Sequence, residues 1–165
     1  MALPDKIRQN RSMKIHCLIR SQFLPITPDV AWAFFSNPAN LALLTPEWVN
    51  YRDESYEQAK QVYPGMVLMH RIQPYGLFPC QWVSVITHAQ EPGYFIDEQK
   101  TGPFAFWQHK HAIQPVEGGV EIRDVIHYAL PFGFIGNIGA FFVRLQIERL
   151  FDYREQMLTD FFGNA

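Results

Sequence analysis

Two cysteines, no apolar run of membrane-spanning length and no surplus of basic residues set the first limits on this chain of 165 residues. Cys17 and Cys80 fit no metal-ligand spacing and stand far apart. Such sparse cysteine use suits a reducing compartment, so free thiols and a cytoplasmic protein are expected. Lys and Arg number 14 against 16 Asp and Glu, for a net charge of −2. With no basic stripe, neither a nucleic acid nor an anionic membrane surface is an expected partner. The apolar runs are too short to insert into a bilayer. Residues 1–12, MALPDKIRQNRS, are basic without the apolar segment of a secretory signal, and read as a flexible tail before one domain over 13–165. GxSxG, GxGxxG, the P-loop and HExxH are missing, so no nucleophile elbow, dinucleotide loop, phosphate loop or zinc-protease helix is expected. Aromatic residues are plentiful, with 14 Phe and 4 Trp. That exceeds what a small core needs, and surplus aromatic surface lines pockets.

The stretch FLPITPDVAWAFFSNPANLALLTP, residues 23–46, encodes the end of a strand and two short helices. Thr27 is an N-cap, Pro28 stands at the first helical position, and Asp29 complements the helix dipole. Asn37-Pro38 breaks that helix, and a second is expected over about 39–44. Two short apolar helices straight after the first strand make a lid. Trp32, Phe34, Phe35, Leu43 and Leu44 are its expected inner surface.

Turn signals then recur at nearly regular spacing between β-rich runs. They predict strands over about 14–24, 48–56, 66–73, 79–89, 94–100, 104–114 and 120–130, an antiparallel meander. From residue 134 to 162 there is no proline and helix formers dominate, so a long helix is expected, ended by Gly163. One face of it carries Gly136, Gly139, Ala140, Val143, Ile147, Leu150, Phe151, Met157, Leu158 and Phe161. The small residues of its first half would leave volume above the sheet, and the large ones of its second half would plug it. Ile138, Phe141 and Leu145 fall on the opposite face, an apolar patch that reads as either a homodimer surface or a seat for a loop. Arg154 lies near the core face, as a snorkelling arginine or a brace to an inward carboxylate.

Strand alternation puts Trp107, His109, His111 and Ile113 on one face of WQHKHAIQP, and Ile122, Asp124, Ile126 and Tyr128 on one face of VEIRDVIHYAL. The turn Val116-Glu117-Gly118-Gly119 pairs Ile113 with Ile122, His111 with Asp124, His109 with Ile126 and Trp107 with Tyr128. Asp97 or Glu98 joins them, according to a one-residue register. This cluster has three readings: a self-satisfied polar network, a site that orients the polar end of an apolar ligand, and a two-histidine, one-carboxylate metal centre. His-x-His alone is a weak metal signal, so no metal and no cofactor is expected.

On these residues, with LFDYREQMLTDFFG at the end, the chain resembles the START-like helix-grip domains, the superfamily often called SRPBCC. That superfamily includes polyketide cyclases, START lipid carriers and the birch pollen allergen family. The chain is most similar to a bacterial ligand-binding branch, some members of which are polyketide cyclase-like while others accompany sugar-nucleotide epimerase-like proteins. The resemblance implies an α+β helix-grip fold, a curved antiparallel sheet of six to seven strands around a long C-terminal helix. It also implies a deep, mostly apolar cavity between them. The ring-hydroxylating dioxygenase relatives carry iron, but their ligand pattern is not matched. The expected function is binding of a hydrophobic or aromatic small molecule by Trp32, Phe35, Leu44, Trp107, His109, His111, Asp124, Tyr128, Gly136, Gly139, Ala140 and Val143. The alternatives are a cyclase, dehydratase or hydrolase using the His/Asp pair with Tyr128 as donor, and an interaction subunit of an epimerase-like partner.

Overall fold

The structure, a computed structural model, describes residues 13–55, 59–73, 78–131 and 139–163. The expected tail, Gly136 and Ile138 lie outside the described residues. Strand β1 (His16–Leu24) is followed by helix α1 (Pro28–Phe35), one turn of 3-10 helix (Pro38–Leu41) and a second (Glu47–Val49). Then come β2 (Arg52–Asp53), β3 (Val67–Ile72), β4 (Cys80–Gln90), β5 (Tyr94–Thr101), β6 (Phe106–Val116), β7 (Gly119–Ala129) and helix α2 (Ala140–Phe162). The strands form one antiparallel sheet in the order β1-β7-β6-β5-β4-β3-β2.

The lid begins as expected, with the Thr27 hydroxyl accepting from the Val30 amide at 3.4 Å. Its second member is a single 3-10 turn, capped by the Asn37 side chain on the Ala39 amide at 3.1 Å. The strand expected over 48–56 is shorter than the pattern suggested. Pro46 opens a 3-10 turn and Asn50 ends it in the left-handed region at φ 50°, so that among the described residues the strand is Arg52 and Asp53, paired with β3.

The β6–β7 register is the expected one: His111 faces Asp124, His109 faces Ile126, Trp107 faces Tyr128 and Ile113 faces Ile122. Two glycines hold it. Gly118 turns the chain at φ +80°, and a Cβ on Gly119 would collide with the Leu24 carbonyl oxygen. Between β4 and β5 the pairing shifts twice, at Val83/Ser84 and at Ile86/His88. Such irregularities bend a strand and increase its twist, and here they fall beside the buried Ser84 and Ile86.

Leu24, Ile86, Val120 and Ile126 are wholly buried. Each contributes about 1.5–3 kcal/mol relative to exposure. From α2, Ile147, Phe151 and Leu158 are buried against the sheet, while polar ties fix its flank to β1. Arg20 pairs with Asp152, and the Gln22 amide donates to the Glu155 carbonyl at 3.0 Å and the Thr159 hydroxyl at 3.1 Å. Phe161, expected on the core face, is 46% exposed and leans on Phe34 at 5.8 Å between ring centroids. It sits in the last turn, where α2 reaches the lid rather than the sheet. Phe141, Phe142 and Leu145 are exposed.

Candidate functional site

A cavity of about 230 Å³ lies between the concave face of the sheet, the lid and the middle of α2. Phe34, Phe35 and Leu44 come from the lid side; Leu68, Ile86, Phe95 and Trp107 come from strands; Ile147, Leu150 and Phe151 come from α2. One corner is polar: Asp97 on β5, His109 and His111 on β6, Asp124 on β7 and Arg154 on α2 all border it.

The two histidines share Asp124. His109 Nε2 lies 2.9 Å and His111 Nδ1 2.8 Å from the same oxygen, Asp124 Oδ1. The first is a directed hydrogen bond. The second is short but bent, so His111 Nδ1 lacks an aligned partner although it is buried. On the far side, His109 Nδ1 and His111 Nε2 stand 3.7 and 3.6 Å from Asp97 Oδ2. The two rings are 3.7 Å apart between centroids, and Phe95 stacks on His111 at 4.4 Å and 21°.

Burial opposes every charge in this corner, and the partners decide the outcome. For His111 burial disfavours the imidazolium, but Asp124 and Asp97 outweigh it and hold its pKa above the ordinary 6.5. For His109 burial wins, helped by the neighbouring His111, and the pKa falls. Burial would raise Asp97 and Asp124, yet the imidazoles hold both carboxyls below the usual range. Arg154 donates to the Leu44 carbonyl at 3.1 Å and covers the Phe151 ring at 5.0 Å. Its charge favours ionised Asp97.

His70, on β3, borders the same cavity. Tyr51 Oη lies 3.4 Å from its Nδ1. Burial lowers the His70 pKa and raises that of Tyr51.

Phe35, Leu44, Trp107, His109, His111 and Asp124, all singled out from the sequence, therefore meet around one space. The others do not. Trp32 is buried in the core edge-on to Phe95, at 6.1 Å. Leu43 is exposed. Tyr128 shares the concave face of β7 but is buried against His16 and Phe104, at 5.2 and 5.7 Å between centroids. Gly139 precedes α2, whose described part begins at Ala140. Neither residue, nor Val143, borders the cavity. The helix lines it instead from Gln146 to Leu158, the half with large side chains. Among the described residues, the space lies between the lid, the strands and this half of α2. Between the two candidates on β5, Asp97 faces inward. Glu98 faces out, accepting from Lys100 and Gln108 at 3.1 Å each.

Sheet order, lid and closing helix define the class of architecture, the helix-grip fold. Solved structures of that class superpose on nearly the whole chain. Norcoclaurine synthase from Thalictrum flavum, solved with dopamine and hydroxybenzaldehyde, has a TM-score of 0.66 at 13% identity, over 97% of this chain and 96% of its own. A protein of Thermus thermophilus has 0.65 at 13%, over 88% and 98%. Ara h 8.0201 has 0.59 at 15%, over 89% and 99%. The chain thus has the START-like helix-grip fold. No protein-family model and no curated protein sequence matches it. Among the described residues, no helix is long and apolar enough to cross a membrane.

Proposed function

We propose that the protein binds a small, largely apolar or aromatic molecule and holds its polar end at the His109/His111/Asp124 corner. The observation that carries this reading is a cavity lined largely by aliphatic and aromatic side chains, with scattered neutral polar groups, whose charged side chains among the described residues gather in one corner. Ligand sites have this composition: apolar surface supplies affinity, and a few polar groups fix orientation. A cavity of about 150 Å³ accepts benzene, so about 230 Å³ suits a molecule of one or two rings. The fold relative solved with dopamine and hydroxybenzaldehyde holds molecules of that size.

Trp48, Trp82 and Trp107 border the cavity, so occupancy alters the protein's own fluorescence. Titration with 1-naphthol should give a saturable change. Leu150→Trp, which fills the space from α2, should weaken binding at least about tenfold, at a stability cost of about 1–3 kcal/mol. Absence of saturable binding by 1-naphthol and by a medium-chain fatty acid, or unchanged affinity in Leu150→Trp, would refute the reading.

General acid–base catalysis on such a molecule is the second reading, of the cyclase, dehydratase or hydrolase kind. It is favoured by one observation. His109 and His111 touch the same carboxylate oxygen yet are driven in opposite directions, one toward the free base and one toward the acid. Paired groups with divergent proton affinities are how one site supplies both partners of a proton transfer. Tyr128 takes no part in it. A turnover whose bell-shaped pH profile survives His111→Gln unchanged would exclude this role.

A further inference from the structure

The four ring nitrogens of His109 and His111 point in two directions. Two meet Asp124 Oδ1, at 2.9 and 2.8 Å. The other two, His109 Nδ1 and His111 Nε2, meet Asp97 Oδ2 at 3.7 and 3.6 Å. A neutral imidazole has one N–H and one lone pair. When each ring turns its N–H to Asp124, each also turns its lone pair to Asp97. Three electron-rich atoms then converge with no hydrogen among them.

Their spacing is informative. Separations of 3.6–3.7 Å exceed a good hydrogen bond, which is roughly 2.7–3.2 Å. They are near the roughly 3.3–3.6 Å between two donors on one tetrahedral ion with bonds of roughly 2.0–2.2 Å. One ligand atom from each of Asp97, His109 and His111 lies within 4.8 Å of the other two.

We propose that Asp97 Oδ2, His109 Nδ1 and His111 Nε2 bind one divalent transition-metal ion, of the zinc or ferrous-iron class, with Asp124 as the outer carboxylate that holds both imidazoles. This goes beyond the small-molecule reading and does not depend on it.

Three further points support the assignment. Metal-ligating histidines regularly donate their second N–H to a carboxylate, which fixes tautomer and ring orientation. Here one carboxylate oxygen lies against both rings, in a directed hydrogen bond with His109 and in a short but bent contact with His111. Two imidazoles and a carboxylate with open positions are the donor set of catalytic zinc and non-haem iron(II). Asp97 and Asp124 place two carboxylates beside the single positive charge of Arg154, which favours a further cation among them. Because the same side chains border the cavity, the ion's open positions would face whatever occupies it. Strand alternation left the carboxylate ligand unspecified among Asp124, Asp97 and Glu98; the far-side geometry assigns that place to Asp97.

The test uses the full chain freed of metal with a chelator and then titrated with Co²⁺, read by its visible absorption, and with Zn²⁺, read by calorimetry. One equivalent per chain is expected. Asp97→Asn and His109→Gln should each weaken it about a hundredfold or more, and Asp124→Asn about 10–100-fold. Circular dichroism reports whether each variant is folded. X-ray absorption on the Zn²⁺-loaded wild-type protein needs no variant: it should show a nitrogen and oxygen shell with two imidazoles. No binding tighter than millimolar, a sulfur ligand from Cys17 or Cys80, a shell with fewer than two imidazoles, or full affinity in folded Asp97→Asn overturns the proposal.

Discussion

His70 and His111 border the same cavity, one from β3 and the other from β6. Both lose solvent, and burial disfavours the charged ring in each. They part because of what they face. Beside His70 stands a phenol, Tyr51, with the acids that act on it, Asp53 and Asp97, too weakly placed to reverse the effect of burial. Beside His111 stand two carboxylates within 3.6 Å. The cavity wall beside His70 is therefore polar but neutral, and the wall beside His111 is charged. In a low-dielectric interior the partner, not the depth of burial, decides whether a titratable group keeps its charge.

The largest effect should come from removing the charge beside His111 while keeping its shape. Asp124→Asn leaves two imidazoles around an amide that cannot balance an imidazolium. Breaking a buried pair from one side costs about 3–5 kcal/mol. For a domain of this size that lowers the melting temperature by roughly 6–20 °C. A thermal melt of the metal-free protein measures it. A loss under about 1 kcal/mol, far below the usual cost of a broken buried pair, would mean that the corner neutralises itself freely, and the contrast between the two walls would collapse.

A smaller effect, opposite in sign at the two walls, should appear in the pH dependence of stability. His111 has a folded pKa above 6.5, so the stability it adds is complete below pH 6.5 and is lost as pH rises through its folded value. His70 has a folded pKa below 6.5, so its contribution is complete above pH 6.5 and is lost as pH falls toward its folded value. Urea midpoints of wild type, His111→Gln and His70→Gln between about pH 5 and 8, in chelator, separate the two. The wild-type advantage over His111→Gln should shrink with rising pH, and that over His70→Gln should grow. Parallel curves would show that the two rings titrate alike.

This contrast was only half visible in the chain. The His111–Asp124 pairing was legible because a two-residue turn with Gly118 and strict alternation leave little freedom in the β6–β7 register. The choice of Asp97 over Glu98 was not, since both are acidic and a slip of one residue exchanges their faces. Alternation tells which face a side chain takes but not which end of the strand looks into open space. Tyr128 shares a face with Asp124 and is packed away from the cavity all the same. The small residues 139 and 140 suggested room under the start of α2, whereas among the described residues the helix borders the cavity between 146 and 158. His70 and Tyr51 drew no role from the sequence because their meeting depends on a 3-10 turn and on Asn50 in the left-handed region, neither of which leaves a periodic signal.

The smallest predicted effect is also the sharpest check on the neutral wall. Tyr51→Phe removes one hydroxyl and keeps the ring that leans on His70 at 5.4 Å. The bond it deletes is long, at 3.4 Å, and joins two uncharged groups. Net worth for such a bond is about 1 kcal/mol or less. Unfolding in urea should therefore shift by less than about 1 kcal/mol, several times less than for Asp124→Asn. The His70 pKa, followed by its ring proton resonances, should stay below 6.5, because burial rather than the phenol lowers it. If Tyr51→Phe destabilises as much as Asp124→Asn, or lifts the His70 pKa above 6.5, then the phenol holds that ring as firmly as the carboxylates hold His111. The two walls of the cavity would then differ in degree and not in kind.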